Sequence, residues 1–135
     1  DSSRIRLSSG LVDRALFGAV FFVSVLFHEF GHVVGTRITG GSAEEILIWP
    51  LGGLASVHPA SNLTSQLVSV LAGPFVNLVL CLAALPAVVR SGVLTEALNP
   101  FVFPPMDLAG NPVQALLLMI FTANWIQLRV NLLPV

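Results

Sequence analysis

Residues 28–32 read His-Glu-Phe-Gly-His, and they combine side chains that can bind a transition metal and use it. Two His residues at positions i and i+4 lie on the same face of a helix, so both imidazoles can bind one zinc ion. A Glu directly after the first His is placed to accept a proton from a water molecule at such a site. The sequence therefore predicts His28 and His32 as metal ligands, Glu29 as a catalytic base and Zn²⁺ as the cofactor.

This motif lies inside a strongly apolar segment. Between residues 15 and 36, Glu29 is the only formally charged side chain. A carboxylate and two imidazoles are costly at hydrocarbon depth unless they are paired or bind a metal. The alternative is a buried His pair that only satisfies helix contacts, and the Glu between the two His residues favours the metal site. Zinc lowers the pKa of bound water to about 7, which permits hydrolysis at neutral pH.

The composition is typical of a membrane protein. Of the 135 residues, 55% are hydrophobic and 10% are charged, whereas soluble domains carry about 25% charged residues. The net charge is −1 and no run of basic residues occurs, so we expect no nucleic-acid partner. The single cysteine, Cys81, excludes an internal disulfide and a zinc site built from cysteines.

Three segments are long enough to span a bilayer as helices, which takes about 20 apolar residues. They cover approximately residues 15–36, 67–89 and 113–133. Between the first two, residues 46–57 have strand-forming residues on both sides of a Pro and a Gly-Gly pair, which is typical of a short hairpin or re-entrant loop. Residues 91–111, rich in Pro and Gly, are interpreted as an irregular connection.

The fold class that follows is an all-α polytopic membrane protein. Its catalytic core would consist of three transmembrane helices, with a short β-hairpin or re-entrant loop after the first helix. The whole chain, residues 1–135, would form one such core. The sequence carries no signal for its oligomeric state.

Polar residues in the later spans are expected at the same depth as the His pair. Successive spans alternate in direction, so Asn77 early in the second span and Asn131 late in the third lie toward the membrane face of His28. Asn124, Gln127 and Asn131 also share one helix face. Amides in membrane helices often only join helices, contributing about 0.6–2 kcal/mol each, and this alternative stays open for Asn124 and Gln127. Asn77 and Asn131 are predicted to hydrogen-bond the developing oxyanion or the substrate backbone.

A third metal ligand is missing from this picture, because a catalytic zinc usually has three protein ligands. Asp107 falls in the connection on the opposite membrane face and is rejected. Glu44 and Glu45 are interpreted as solvated residues beside the hairpin, and His58 as an ordinary loop residue.

Four motifs in order resemble the site-2 protease family of intramembrane zinc metalloproteases. They are His-Glu-Phe-Gly-His, then Trp-Pro-Leu-Gly-Gly-Leu-Ala at 49–55, Ala-Gly-Pro-Phe-Val-Asn at 72–77 and Asn-Leu-Leu-Pro at 131–134. The first motif is shared with many soluble zinc proteases, whereas the ordered set is more selective. The resemblance covers the chain from about residue 15 to its end.

The resemblance implies residue roles and a substrate class. His28 and His32 match the family's zinc ligands, Glu29 its catalytic glutamate, and Asn131 an Asn close to the zinc. In the family an Asp-Gly pair soon follows and supplies the third ligand, so we expect that ligand beyond Val135, in a longer active enzyme. Family members cleave transmembrane segments of membrane-bound proteins. We therefore expect an integral protein of the cell membrane whose active site faces the cytoplasm.

Two other functions remain as alternatives. The first is a non-catalytic membrane scaffold or pseudoprotease of the same fold. The second is a transporter of zinc or another ion, for which the spans carry few acidic residues. The position of Glu29, with no evident structural use at that depth without a metal, favours the protease.

Overall fold

The computed structural model describes residues 2–49, 52–108 and 110–132. Its elements, in chain order, are α1 (Ser2–Ile38), β1 (Ser42–Trp49), β2 (Gly52–His58), α2 (Leu63–Ser91), α3 (Leu94–Leu98) and α4 (Pro112–Leu132). Three of the helices, α1, α2 and α4, are long and apolar enough to cross a membrane. The prediction of three such helices with a small hairpin after the first is confirmed.

The helices extend beyond the apolar segments that indicated them. The first helix begins at Ser2 rather than near residue 15, because hydropathy locates a span and not a helix end. The second begins at Leu63, where the side chain of Asn62 accepts a hydrogen bond from the Ser65 amide at 2.7 Å. It continues through Pro74. It ends at Ser91 and is capped by Gly92, whose φ of 74° is left-handed.

Small residues allow α1 and α2 to pack closely. A Cβ atom on Gly31 would lie 2.6 Å from the carbonyl oxygen of Ala72. A Cβ atom on Gly35 would lie 2.6 Å from the Ala72 Cβ. Gly31 and Gly35 thus form the small-residue contact that their four-residue spacing predicts, and this contact sets the distance between α1 and α2 next to the His pair.

The hairpin is a two-stranded antiparallel sheet. Its register runs from the pair Ser42–His58 to the pair Trp49–Gly52, with an irregularity between Ala43 and Glu45. The Arg37 Nε donates to the carbonyl oxygen of Ala43 at 3.1 Å, which ties the base of the hairpin to the end of α1. Pro50 and Leu51, between the strands, lie outside the described residues.

The connection between α2 and α4 is more ordered than its sequence indicated, because it contains α3 and folds back along α4. The carbonyl oxygen of Leu98 accepts a hydrogen bond from the Trp125 Nε1 at 3.2 Å. Trp125 lies 13 residues into α4, about 20 Å along the helix axis. Burial of apolar side chains explains the return, because Ala97 joins a cluster with Cys81, Ala84, Val88, Leu118 and Phe121.

Candidate metal site

His28 and His32 lie one turn apart on α1, with their rings nearly perpendicular at 83°. Their Nε2 atoms are 3.0 Å apart. His28 is buried and His32 is half-buried, and both imidazoles lie against Gly73 of α2. The two imidazoles therefore converge on one point inside the helix bundle.

A backbone carbonyl sets the tautomer of His32. The Nδ1 of His32 lies 2.6 Å from the carbonyl oxygen of Ser69 on α2. A carbonyl oxygen can only accept a hydrogen bond, so Nδ1 must carry the proton. The Nε2 of a neutral His32 then presents a lone pair.

The side-chain amide of Asn77 sets the tautomer of His28. The Nδ1 of His28 lies 2.6 Å from the Oδ1 of Asn77, which is fully buried. The Nδ2 of Asn77 points the other way, toward the Asn124 Oδ1 at 2.9 Å and the Gln127 Oε1 at 3.2 Å. With the amide in this orientation the Nδ1 of His28 donates, and its Nε2 presents a lone pair to His32.

Two unprotonated Nε2 atoms 3.0 Å apart would repel each other, so either a proton or a metal ion must lie between them. Two imidazole ligands of a tetrahedral zinc, at about 2.05 Å from the metal, would be separated by about 3.3 Å. Zinc-binding His residues almost always donate their other ring nitrogen to an oxygen acceptor, as both do here. The two donors and their hydrogen-bond partners therefore fit a zinc ion.

Gly73 of α2 leaves the space that a cation would need. A Cβ atom on Gly73 would lie 2.6 Å from the His32 Cε1 and 2.9 Å from the His28 Cε1, and still closer to the His32 Nε2. Real Cβ atoms are not found at such distances. Any residue larger than glycine would therefore occupy the position on which the two imidazoles converge.

The described residues supply two candidate metal ligands, His28 and His32, and no third one beside them. Across residues 2–49, 52–108 and 110–132, no group of three His, Cys, Asp or Glu residues is placed to hold a metal ion. The third ligand expected after Val135 remains a prediction. Leu133, Pro134 and Val135, which end the fourth motif and the chain, lie outside the described residues.

Glu29 is buried, at 7% exposure, although it is a carboxylate in an apolar helix. It follows His28 directly on α1, and its charge acts on that imidazole. Its carboxylate forms no hydrogen bond within the described part of the chain. The role of Glu29 as a catalytic base remains a prediction.

Asn77 and Asn131, for which the sequence predicted the same role, have different surroundings in the structure. Asn77 contacts His28 directly, and its amide hydrogen bonds are taken up inside the protein. Asn131 is exposed, and its Nδ2 donates to the Gln127 carbonyl oxygen at 2.7 Å within α4. Asn77 thus supports a candidate ligand, while the role of Asn131 toward a substrate remains a prediction.

Sequence reasoning missed one partner of the site, Ser69. It acts through its backbone carbonyl, which no side-chain motif can reveal. A signal was nevertheless present, since Ser69, Gly73 and Asn77 recur every four residues and share one face of α2. Extending that polar face by one turn would have included Ser69.

Comparison with known proteins does not identify the function of this protein. No protein-family model, curated protein or solved structure matches the chain. The features that bear on function are therefore the His pair, Glu29 and the helices that hold them.

Proposed function

We propose that the protein is a zinc-dependent intramembrane endopeptidase that cleaves transmembrane segments of membrane-bound substrate proteins. The observation that carries the proposal is the convergence of the Nε2 atoms of His28 and His32, 3.0 Å apart, with the buried side chain of Glu29 on the adjacent residue. The helix that bears them is long and apolar enough to cross a membrane. The ordered motifs that resemble site-2 proteases add support from the sequence.

Each residue of the site would have a separate role in peptide hydrolysis. His28 and His32 would hold the zinc ion, and Asn77 and Ser69 orient their rings. Bound zinc would supply a Lewis acid for the scissile carbonyl and for the attacking water. Glu29 accepts a proton from that water as its oxygen attacks the carbonyl carbon. When the C–N bond breaks, Glu29 returns the proton to the leaving amine.

The membrane partner follows from the same helices. We propose an integral protein of the cell membrane, with the His pair toward the cytoplasmic side. This orientation follows the family resemblance. It places four arginines outside, against the usual excess of positive residues inside: Arg4, Arg6, Arg14 and Arg90. A topology reporter fused after Ser61 tests it: a cytoplasmic signal agrees, and an external signal contradicts the orientation.

A cleavage assay on the full-length protein, reconstituted in lipid with a transmembrane substrate, tests the function. Glu29→Gln should retain zinc and lose about 10²–10⁴-fold in cleavage rate, since it removes only the base. His28→Ala should lose both zinc and cleavage. Glu96→Gln, the same substitution at an exposed position on α3, serves as the matched control and should behave like the wild type.

The same assay separates the protease from a non-catalytic scaffold. The scaffold is favoured by one observation, the lack of a third metal ligand among the described residues. A scaffold would show no cleavage by the wild type. Equal cleavage by the wild type and Glu29→Gln would exclude Glu29 as the base, and purified protein that neither contains nor takes up zinc would overturn the proposal.

A further inference from the structure

We infer that Asn124 and Gln127 of α4 are positioning residues that set the tautomer of His28 through Asn77. The inference deepens the proposed function and rests on it for the role of His28 as a ligand. It assigns a task to two amides that otherwise would only join α4 to the other helices. It concerns hydrogen-bond direction, which packing alone does not determine.

Two backbone carbonyl groups fix the orientation of the Asn124 and Gln127 side-chain amides. The Nδ2 of Asn124 donates to the Ile120 carbonyl oxygen at 2.8 Å, and also to the Ser24 Oγ at 3.2 Å. The Nε2 of Gln127 donates to the Phe21 carbonyl oxygen at 3.4 Å. A carbonyl oxygen only accepts, so each amide must turn its nitrogen toward the backbone and its oxygen away from it.

Both amide oxygens therefore face Asn77. The Asn77 Nδ2 has two protons, and the Asn124 Oδ1 at 2.9 Å and the Gln127 Oε1 at 3.2 Å are placed to accept them. A reversed Asn77 amide would bring its oxygen against two other oxygens in a fully buried position, with three acceptors and no donor. The Asn77 Oδ1 is consequently held toward His28.

This orientation decides which ring nitrogen of His28 is available. With Oδ1 facing it at 2.6 Å, the His28 Nδ1 carries the proton and Nε2 is unprotonated. With the Asn77 amide reversed, Nδ1 would accept and Nε2 would carry the proton, at the position where a cation would bind. α4 contributes no imidazole to the site, yet through this chain of hydrogen bonds it makes His28 competent to bind metal.

A packing role and a directional role predict different results for isosteric substitutions. Gln127→Met keeps the length and volume of the side chain and removes its acceptor oxygen. Gln127→Glu, whose carboxyl group is protonated when buried, keeps an acceptor oxygen for Asn77 and a donor for the Phe21 carbonyl oxygen. If Gln127 only fills space between the helices, Gln127→Met should leave the tautomer of His28 unchanged. If Gln127 fixes the orientation of the Asn77 amide, Gln127→Glu should preserve that tautomer better than Gln127→Met.

The test is performed on the full-length protein labelled with ¹⁵N-histidine. After chelator treatment, ¹⁵N chemical shifts report which nitrogen of His28 is protonated. The wild type should show the Nδ1–H tautomer. The double variant Asn124→Leu/Gln127→Met should shift toward the Nε2–H form, and its zinc affinity should fall about 10–100-fold, as is usual for residues behind a metal ligand. Gln127→Glu should stay close to the wild type in both measurements.

Controls keep the result interpretable. Gln66→Met, the same exchange at an exposed position on α2, should change neither measurement. The single Gln127→Met variant keeps the Asn124 acceptor and is measured beside the double variant in case the latter does not fold. An unchanged His28 tautomer and unchanged zinc affinity in folded variants would overturn the inference. If the wild type binds no zinc, the proposed function fails, and the tautomer measurement still decides whether α4 directs His28.

Discussion

Gly73 on α2 lies directly against the imidazole of His32 on α1, too close for any side chain to replace its hydrogen atom. A methyl group at Gly73 would come within 2.6 Å of the His32 Cε1. The backbone of one helix thus forms a wall of the candidate metal site on the other. Changes at this contact should affect the metal more than the helix.

Gly73→Ala should greatly weaken zinc binding, because the added methyl occupies the point on which both imidazoles converge. The helix itself should not suffer, since Ala is favoured over Gly in helices by about 1 kcal/mol. Zinc titration of the purified full-length protein measures the effect. Gly18→Ala on α1, where an added Cβ meets nothing within 4 Å, is the control. Wild-type zinc affinity in Gly73→Ala would show that the cation does not bind between the rings.

Gly31→Ala should destabilise the packing of α1 on α2. Its methyl would meet the Ala72 carbonyl oxygen at 2.6 Å and the Val76 Cγ2 at 2.8 Å, and a backbone oxygen cannot move aside cheaply. Overpacking of this kind typically costs about 1–3 kcal/mol. Denaturant unfolding in detergent measures the loss, with Gly10→Ala as the unhindered comparison. An equal effect of both substitutions would contradict a close contact between the helices.

Removal of the metal should lower the stability of the protein. Without a cation, the lone pairs of His28 and His32 face each other at 3.0 Å, and the contribution of metal binding to the folded state is lost. The midpoint of thermal unfolding should fall on treatment with a chelator and recover with Zn²⁺. Mg²⁺ should not restore it, because that ion prefers oxygen ligands. Recovery with Mg²⁺, or no change on chelation, would contradict a site built from imidazoles.

Proline substitutions test how a substrate is held. We expect an extended substrate segment to add as a strand to an edge of the hairpin. Leu54→Pro and Ala55→Pro each remove one backbone N–H of β2. Successive N–H groups of a strand point to opposite sides, so one substitution affects the free edge and the other the pairing with β1. Both should reduce cleavage in the reconstituted assay, and wild-type turnover by both variants would argue against strand addition.

The apolar segments and turn residues of the sequence were sufficient to predict much of the fold. The apolar segments predicted α1, α2 and α4, and the Gly-Gly pair between strand-forming residues predicted the hairpin. The connection after α2 was beyond such reasoning. α3 is only five residues long, and it is held against α4 by burial of Ala97 and by the bond from Trp125 to Leu98. Both depend on residues distant in sequence.

The candidate site likewise has features that the sequence predicts and features that depend on the tertiary structure. The sequence by itself determined that His28, Glu29 and His32 share one helix turn and that Asn77 lies at their depth, because helix geometry and chain reversal follow from local patterns. Only the tertiary structure decided that Asn77, and not Asn131, touches His28, that the Ser69 carbonyl orients His32, and that Gly73 faces both rings. The physical reason is that hydrogen-bond direction and sub-ångström fit depend on how the helices are rotated and spaced, which the packing of the whole bundle sets.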